Sequence, residues 1–278
     1  MSINQTSVCA RLPSLSLVLL VCWAAVPGKT IVVPAAAPTI SAALMKAQKG
    51  DTILVENGTY RENPALPPGV TVLAKTPLQA VIDGGGRGIT VTLANNSSID
   101  GCEIRNGTIG VFSSSAGNAI RRCRVTANTQ TGIMCVGHLP AIEDNWVVYN
   151  KGSGIQGWDL RSTMSSINHN TIAYNENHGL AIGGNSSIIA ENNIIAFNGQ
   201  FGLKTESAAA QVTLNGNNLF GNATPSALVA SENIAQDPLF TDARRMDFTL
   251  AQNSPCAGAG TDKKDIGVRP RETAAGKQ

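Results

Sequence analysis

The sequence predicts an all-β chain wound as a right-handed, single-stranded parallel β-helix with three short strands per coil and a helix over its N-terminal end. Three observations predict it. Segments IDGCEI, IRRCRV, IEDNWVVYN, INHNTIAYN, AENNIIAFN and LNGNNLFGN begin at Ile99, Ile120, Ile142, Ile167, Ala190 and Leu214, at steps of 21, 22, 25, 23 and 24 residues. Within them runs an aligned column of Cys102, Cys123, Asn145, Asn170, Asn193 and Asn217, and five residues on a second column of Asn128, Asn150, Asn175, Asn198 and Asn222. Four residues further lie Gly132, Gly154, Gly179 and Gly202, each followed by Ile or Leu. A near-constant period in the low twenties marks stacked units, each burying its apolar face against its neighbours.

Each strand follows from this frame, counting the first residue of a unit as position 0. Positions 3, 5 and 7 hold Asn145/Val147/Tyr149, Asn170/Ile172/Tyr174 and Asn193/Ile195/Phe197, a period-two alternation that predicts a strand with these side chains inward. Asn at position 8 reads as a turn in the left-handed region. After the glycine, Ile133/Cys135, Ile155/Gly157, Leu180/Ile182 and Leu203/Thr205 predict a second inward-facing strand, and a shorter third leads into the next unit. The handedness of parallel crossovers gives a right-handed coil. An inward Asn is satisfied when it repeats, because stacked amides bond one another and the backbone of the bends. The Asn columns are therefore structural.

Four regions are expected: residues 1–28 as a signal peptide, 29–98 as a cap helix and first coils, 99–223 as regular coils, and 224–278 as a C-terminal cap and polar tail. Arg11 precedes an apolar stretch, Ser14 to Val26, too short to span a bilayer comfortably, and small residues before Lys29 suit cleavage there. Cys22 would serve a lipoprotein reading, but Val21 stands where a small residue is wanted. Pro38 to Gln48 carries Ile40, Ala43, Leu44 and Ala47 at helical spacing, and strands follow at Ile53–Val55, Val70–Leu73 and Ala80–Ile82.

With 14% charged residues and a net charge of +2, the chain shows no basic run, which argues against nucleic acid as a partner. No later apolar run spans a membrane, so a secreted or periplasmic location is expected. Cys102 and Cys123 stack at a rung spacing of roughly 4.8 Å, which permits either a disulfide or two small buried thiols.

The entry PTISAALMKAQKGDTILVENGTYREN with PPGVTVL and AVIDGGG, the N-x-I…N…G-[IL] coils, and the ending DPLF…DFTL…SPCAGAG…DIG resemble the secreted right-handed parallel β-helix family, the broad pectate-lyase-like superfamily, from Thr30 to about Pro270. That resemblance implies an exported protein with a polysaccharide partner. Its members include lyases, epimerases, hydrolases, esterases and proteins without chemistry.

Ligand chemistry needs outward positions. Positions 1 and 2 present Arg121/Arg122, Glu143/Asp144, Asn168/His169 and Glu191/Asn192, and position 4 presents Arg124 and Trp146. The expected catalytic row is Arg122, Asp144, His169 and Glu191. In a lyase, Arg122 or Arg124 neutralises a uronate carboxylate and His169 removes the α-proton. A hydrolase instead pairs Asp144 with Glu191, two coils or roughly 10 Å apart. Trp146 offers an indole for a sugar face. A second candidate group is Trp158, Asp159 and Arg161 on a protruding loop in the longest coil, with Lys204 nearby. No cofactor is expected; calcium is conceivable, but Glu143, Asp144 and Glu191 give it few oxygens. Finally, Val148, Thr171, Ala173, Ile194, Ala196 and Phe220 make an outward face too apolar to stay bare. The segment Leu239 to Leu250 is the first candidate to cover it, and a second copy, in a weak oligomer, is the alternative. Two functions stay open: an enzyme cleaving an acidic polysaccharide, and a non-catalytic carbohydrate-binding or envelope protein.

Overall fold

The computed structural model describes residues 28–161, 166–224 and 233–269, without the side chain of Arg161. The expected signal peptide and Cys22 lie outside the described residues. The chain is a parallel β-solenoid of about eight turns with three faces. The first face runs from Thr30–Val33 to Gln211–Asn215, the second from Gly58–Arg61 to Ile194–Ala196, and the third from Ala65–Leu66 to Leu203–Thr205.

The repeat frame is the strand register. On the first face Ile99, Ile120, Ile142, Ile167, Ala190 and Leu214 are consecutive partners. On the second, Val125, Val147, Ile172 and Ile195 stack, and on the third Val111, Ile133, Ile155, Leu180 and Leu203 do. These residues fill the core, most of them at 0% exposure. Each fully buried aliphatic side chain contributes about 1.5–3 kcal/mol of hydrophobic stabilisation.

Both polar columns are continuous hydrogen-bonded ladders. Asn170 shows the pattern: its Oδ1 accepts from the backbone N–H and the Nδ2 of Asn145, both at 2.9 Å, while its own Nδ2 donates to Ile142 O and to Asn193 Oδ1. At the bottom, Cys123 N–H donates to Asn145; at the top, Asn217 donates to Asn233. The Cys102 and Cys123 side chains are thiols donating to backbone carbonyls.

One detail of the frame differs from expectation. The left-handed residue is the one before each ladder Asn: Tyr149, Tyr174 and Phe197 have φ of 53°, 55° and 56°, while Asn150, Asn175 and Asn198 are buried. A left-handed residue breaks the period-two alternation, so position 8 points inward and position 7 outward. Tyr149, Tyr174 and Phe197 therefore stack outside the core, with ring centroids 5.2 and 5.0 Å apart. The other corner repeats this at position 2, with Arg122, Asp144, His169 and Asn192 at φ of 50–56°. Non-glycine residues pay about 1 kcal/mol or more for this conformation, and the ladder bonds that follow each corner offset it.

The N-terminal helix is a five-residue one, Ile40–Leu44, shorter than the sequence suggests. Its Thr39 cap and the Glu62 carboxylate take up its first N–H groups, and Ile40, Ala43 and Leu44 are buried. Asn233 and Ile234 end the stack against Asn217 and Asn218, and residues 237–269 form a strap along the outside of the second face. Its antiparallel pair, Phe240–Asp242 with Asp247–Leu250, puts Phe248 against Val148 and Ala173. Cys256 and Ile266 cover Ile194 and Ala196. The apolar face is thus covered by the chain itself, through the segment that was the first candidate for it.

Candidate functional site

At the corner between the first and second faces, Arg122, Asp144 and His169 do stack rung by rung. Their next neighbour is Asn192; Glu191 sits one position earlier and accepts from Asn215 Nδ2 at 3.0 Å. The strap lies along this row at Asp144, His169 and Asn192. His169 is 1% exposed, with Nδ1 at 3.0 Å from the Asp265 carbonyl and Nε2 at 3.1 Å from the Asp262 carboxylate. Asn192 Oδ1 accepts from Thr261 N–H, and both oxygens of Asp144 are taken by the Arg269 guanidinium. That bond holds the guanidinium's pKa above its ordinary value. Both ring nitrogens of His169 are thus bonded within the chain, and Asp144 is paired with Arg269.

Arg124 and Trp146 are register partners on the second face, as expected of position 4. They meet each other instead of a ligand: the guanidinium lies 5.7 Å from the indole centroid and donates to Glu103. The strap's Phe248 cluster packs against Trp146, so its indole is not a free platform.

The third face stays uncovered by the strap. Trp158 lies in the strand Ile155–Arg161, so it is not on a protruding loop, and it is 38% exposed. Its strand partner one rung up is Gly183. A Cβ built on Gly183 would come within 2.6 Å of the benzo ring of Trp158, so the indole rests directly on the glycine. Asp159 Oδ1 is occupied by the Asn185 N–H at 2.9 Å, and Arg161 is a strand residue paired with Ser187. In the adjacent outward column Phe112, Met134, Gln156, Ala181 and Lys204 follow one another rung by rung. Lys204 Nζ sits 4.9 Å over the Phe201 ring, and Thr131 Oγ1 donates to Gln156. The structure therefore brings Trp158 and Lys204 onto one sheet face and separates them from Arg122, Asp144 and His169. Gly183, Gln156 and Phe201 were missed, although adding the 25-residue step to Trp158 lands on Gly183. No sequence signal showed where Asp262, Asp265 and Arg269 would land.

Residues 45–237 match the family model described as "Periplasmic copper-binding protein (NosD)". The chain belongs to the NosD family. No curated protein matches the sequence. Among solved structures, it is similar to a mannuronic acid specific polysaccharide family 6 lyase from human gut microbiota, at 16% identity and a TM-score of 0.49, over 69% of this chain. It spans about half of that lyase, 54% of its length. It is also similar to an Azotobacter vinelandii mannuronan C-5 epimerase A-module (AlgE6), at 17% identity and TM-score 0.43, covering 70% of this chain and 74% of the other. A pectin methylesterase in complex with a hexasaccharide follows at 12% identity and TM-score 0.34, covering 81% and 96%.

The name of the NosD family implies copper, and the described residues of this member do not fit it. They contain no group of three or more His, Cys, Asp or Glu side chains able to hold a metal. Among the described residues most soft donors are spent elsewhere: Cys102, Cys123 and Cys135 are wholly buried in the core, Cys256 accepts from Asn218 Nδ2, both nitrogens of His169 are bonded, His178 Nδ1 accepts from Phe201 N–H, and His138 stands exposed and outside any cluster of metal-binding side chains. Burial alone pushes the Cys135 thiol up to about 12, far from the thiolate that copper requires. Among the described residues no helix is long and apolar enough to cross a membrane.

Proposed function

We infer that this NosD-family chain is an exported or periplasmic β-helix protein that binds a polysaccharide along its third face and does not cleave it. The carrying observation is Trp158, whose indole is held against Gly183 with one side toward solvent. A fixed, half-exposed aromatic ring offers an apolar platform to the C–H face of a sugar at little entropic cost, as rigid aromatics do at other binding surfaces. Gln156 and Lys204 add a hydrogen-bonding amide and a cation on the neighbouring column, the latter suited to an acidic polymer. Rungs about 4.8 Å apart give an extended chain repeated contacts along the solenoid. Against cleavage stands the corner row, since a general base needs a free site within hydrogen-bond reach of its proton and His169 has none.

The test is calorimetry and affinity electrophoresis with uronate and neutral polymers, run beside absorbance detection of unsaturated uronate products. Polymer binding that falls at least tenfold in Trp158→Ala, with no product formed, is the expected result. Unsaturated product that disappears in His169→Ala would overturn the non-catalytic reading.

A further inference from the structure

The start of the solenoid is gathered on one buried carboxylate. Asp51 is 5% exposed. Its Oδ1 accepts from the main-chain N–H of Lys29 at 2.9 Å, and its Oδ2 accepts from the Gln48 N–H at 2.8 Å. Lys29 O accepts from the Thr52 N–H at 2.9 Å, and Thr30 is the strand partner of Thr52. The parallel ladder of the first face therefore reaches down to residue 29, and Asp51 ties that residue to the turn at Gln48.

The main-chain nitrogen of residue 29 lies closer to Asp51 than its side chain does. Lys29 Nζ stands 3.6 Å from Oδ2, is more than half exposed, and donates to the Lys46 carbonyl at 3.3 Å. A buried carboxylate is best held by a full charge at hydrogen-bond distance, which a peptide N–H does not carry. The residue before is pressed against backbone. A Cβ on Gly28 would strike the Gly50 carbonyl, so only glycine fits there. Gly28 is also the last residue of the expected signal peptide.

We propose that Asp51 is the receptor for a processed N terminus: a signal peptidase hydrolyses the Gly28–Lys29 bond, and the freed α-ammonium of residue 29 pairs with the Asp51 carboxylate. The oxygen of water adds to the Gly28 carbonyl carbon as the C–N bond breaks, and both of its protons end on the Lys29 nitrogen. The leader departs as a carboxylate and the mature chain begins with an ammonium. The cut falls on the extended chain during export, before Asp51 is buried. The contact with Oδ1 then becomes charge-assisted, and such bonds are about twice as strong as neutral ones. Processing of this kind rests on the export part of the proposed function and is independent of polymer binding.

The test is export of the full chain from a bacterial host, with the first residue of the product read by intact mass. The product is expected to start at Lys29. Gly28→Ala is expected to give the same mass and the same denaturation midpoint, because residue 28 is discarded. A product that keeps the leader, or starts at another residue, overturns the proposal. The pairing is read by competitive acylation of the product's α-amine just below the ordinary α-amino range of about 7.7–8.0. Acylation is expected to be at least tenfold slower in the folded chain than in the urea-unfolded one, with most of the difference lost in Asp51→Asn. Equal rates folded and unfolded, or slowing that persists in Asp51→Asn, overturn the pairing. A second measurement covers an Asp51→Asn chain that does not fold. The α-amine is acetylated in the unfolded product, which removes the charge, keeps an N–H and puts the acetyl group in the space Gly28 fills. A lower midpoint after refolding is expected, and an unchanged one overturns the pairing. Polymer binding should be the same in the acetylated and free products, so failure at the N terminus is distinguishable from failure of the third-face reading.

Discussion

His169 Nε2 lies 3.1 Å from the Asp262 carboxylate, across 93 residues of sequence, and its Nδ1 lies 3.0 Å from the Asp265 carbonyl. Both partners present an oxygen acceptor, one to each ring nitrogen. This buried imidazole pins the strap to the corner row, and the Arg269–Asp144 pair pins it a second time. His169→Ala is expected to raise amide hydrogen exchange at residues 258–269 while the ladder amides of the coils stay protected. Exchange unchanged across the strap would mean the apolar contacts of Phe248 and Ile266 hold it without the pin.

Attachment also depends on acid. Burial opposes the charge on Asp262, but the Lys264 N–H and the His169 ring outweigh it and hold its carboxyl below the ordinary carboxylate value. A lowered folded-state pKa contributes stability that is complete above the unfolded value and fades as pH falls through the folded one. Strap protection should therefore be full above about pH 4 and decline below it. Asp262→Asn should flatten that part of the profile, read by hydrogen exchange between pH 2.5 and 6.

Much of the solenoid was readable because each coil must repeat what its neighbour needs. The unit starts became strand partners, and the Asn columns became ladders. Tyr149 and Tyr174 were misplaced because alternation was carried through a left-handed corner that reverses it. The apolar outer face around Val148 and Ala173 was legible as needing a cover, since exposed aliphatics in a sheet are costly. Its consequence for His169 was not legible, because the landing of Asp262 and Asp265 is a long-range contact with no periodic signature.

The ladders predict a sharp dependence on single amides. Removing the Asn170 side chain takes the acceptor from the Asn145 N–H and from one of the two Asn145 Nδ2 protons, the other keeping Ile120 O, and takes a donor from the Ile142 carbonyl in the core. A buried polar group without a partner costs about 1–3 kcal/mol, so Asn170→Ala is expected to lose roughly 3 kcal/mol or more in urea denaturation. A loss under about 1 kcal/mol would show that water or neighbouring rungs replace the amide.

The glycine column enforces rung spacing. A Cβ on Gly154 would approach Ile172 Cγ2 to 2.6 Å, Asn175 Nδ2 to 2.8 Å and Gly179 O to 2.9 Å, striking the core and the second ladder together. Overpacking of this kind costs about 1–3 kcal/mol. Gly154→Ala should lower the denaturation midpoint, and a midpoint at or above that of the unaltered chain would show that the rungs can part.

The glycine under Trp158 has a different use. Gly183 is buried, and a methyl group there would occupy the space in which Cζ3, Cε3 and Cη2 of the indole rest, at 2.6–2.9 Å. The ring can swing outward into solvent, so Gly183→Ala is expected to cost little stability while moving the platform off the sheet. Polymer affinity should then fall by about tenfold, some 1.4 kcal/mol, with the far-UV spectrum unchanged and the Trp158 environment altered in fluorescence. Trp158→Phe should recover part of the affinity in the Gly183 background, since a smaller flat ring still stacks. If Gly183→Ala binds as well as the unaltered chain while the indole has demonstrably moved, polymer contact does not depend on the held position of Trp158.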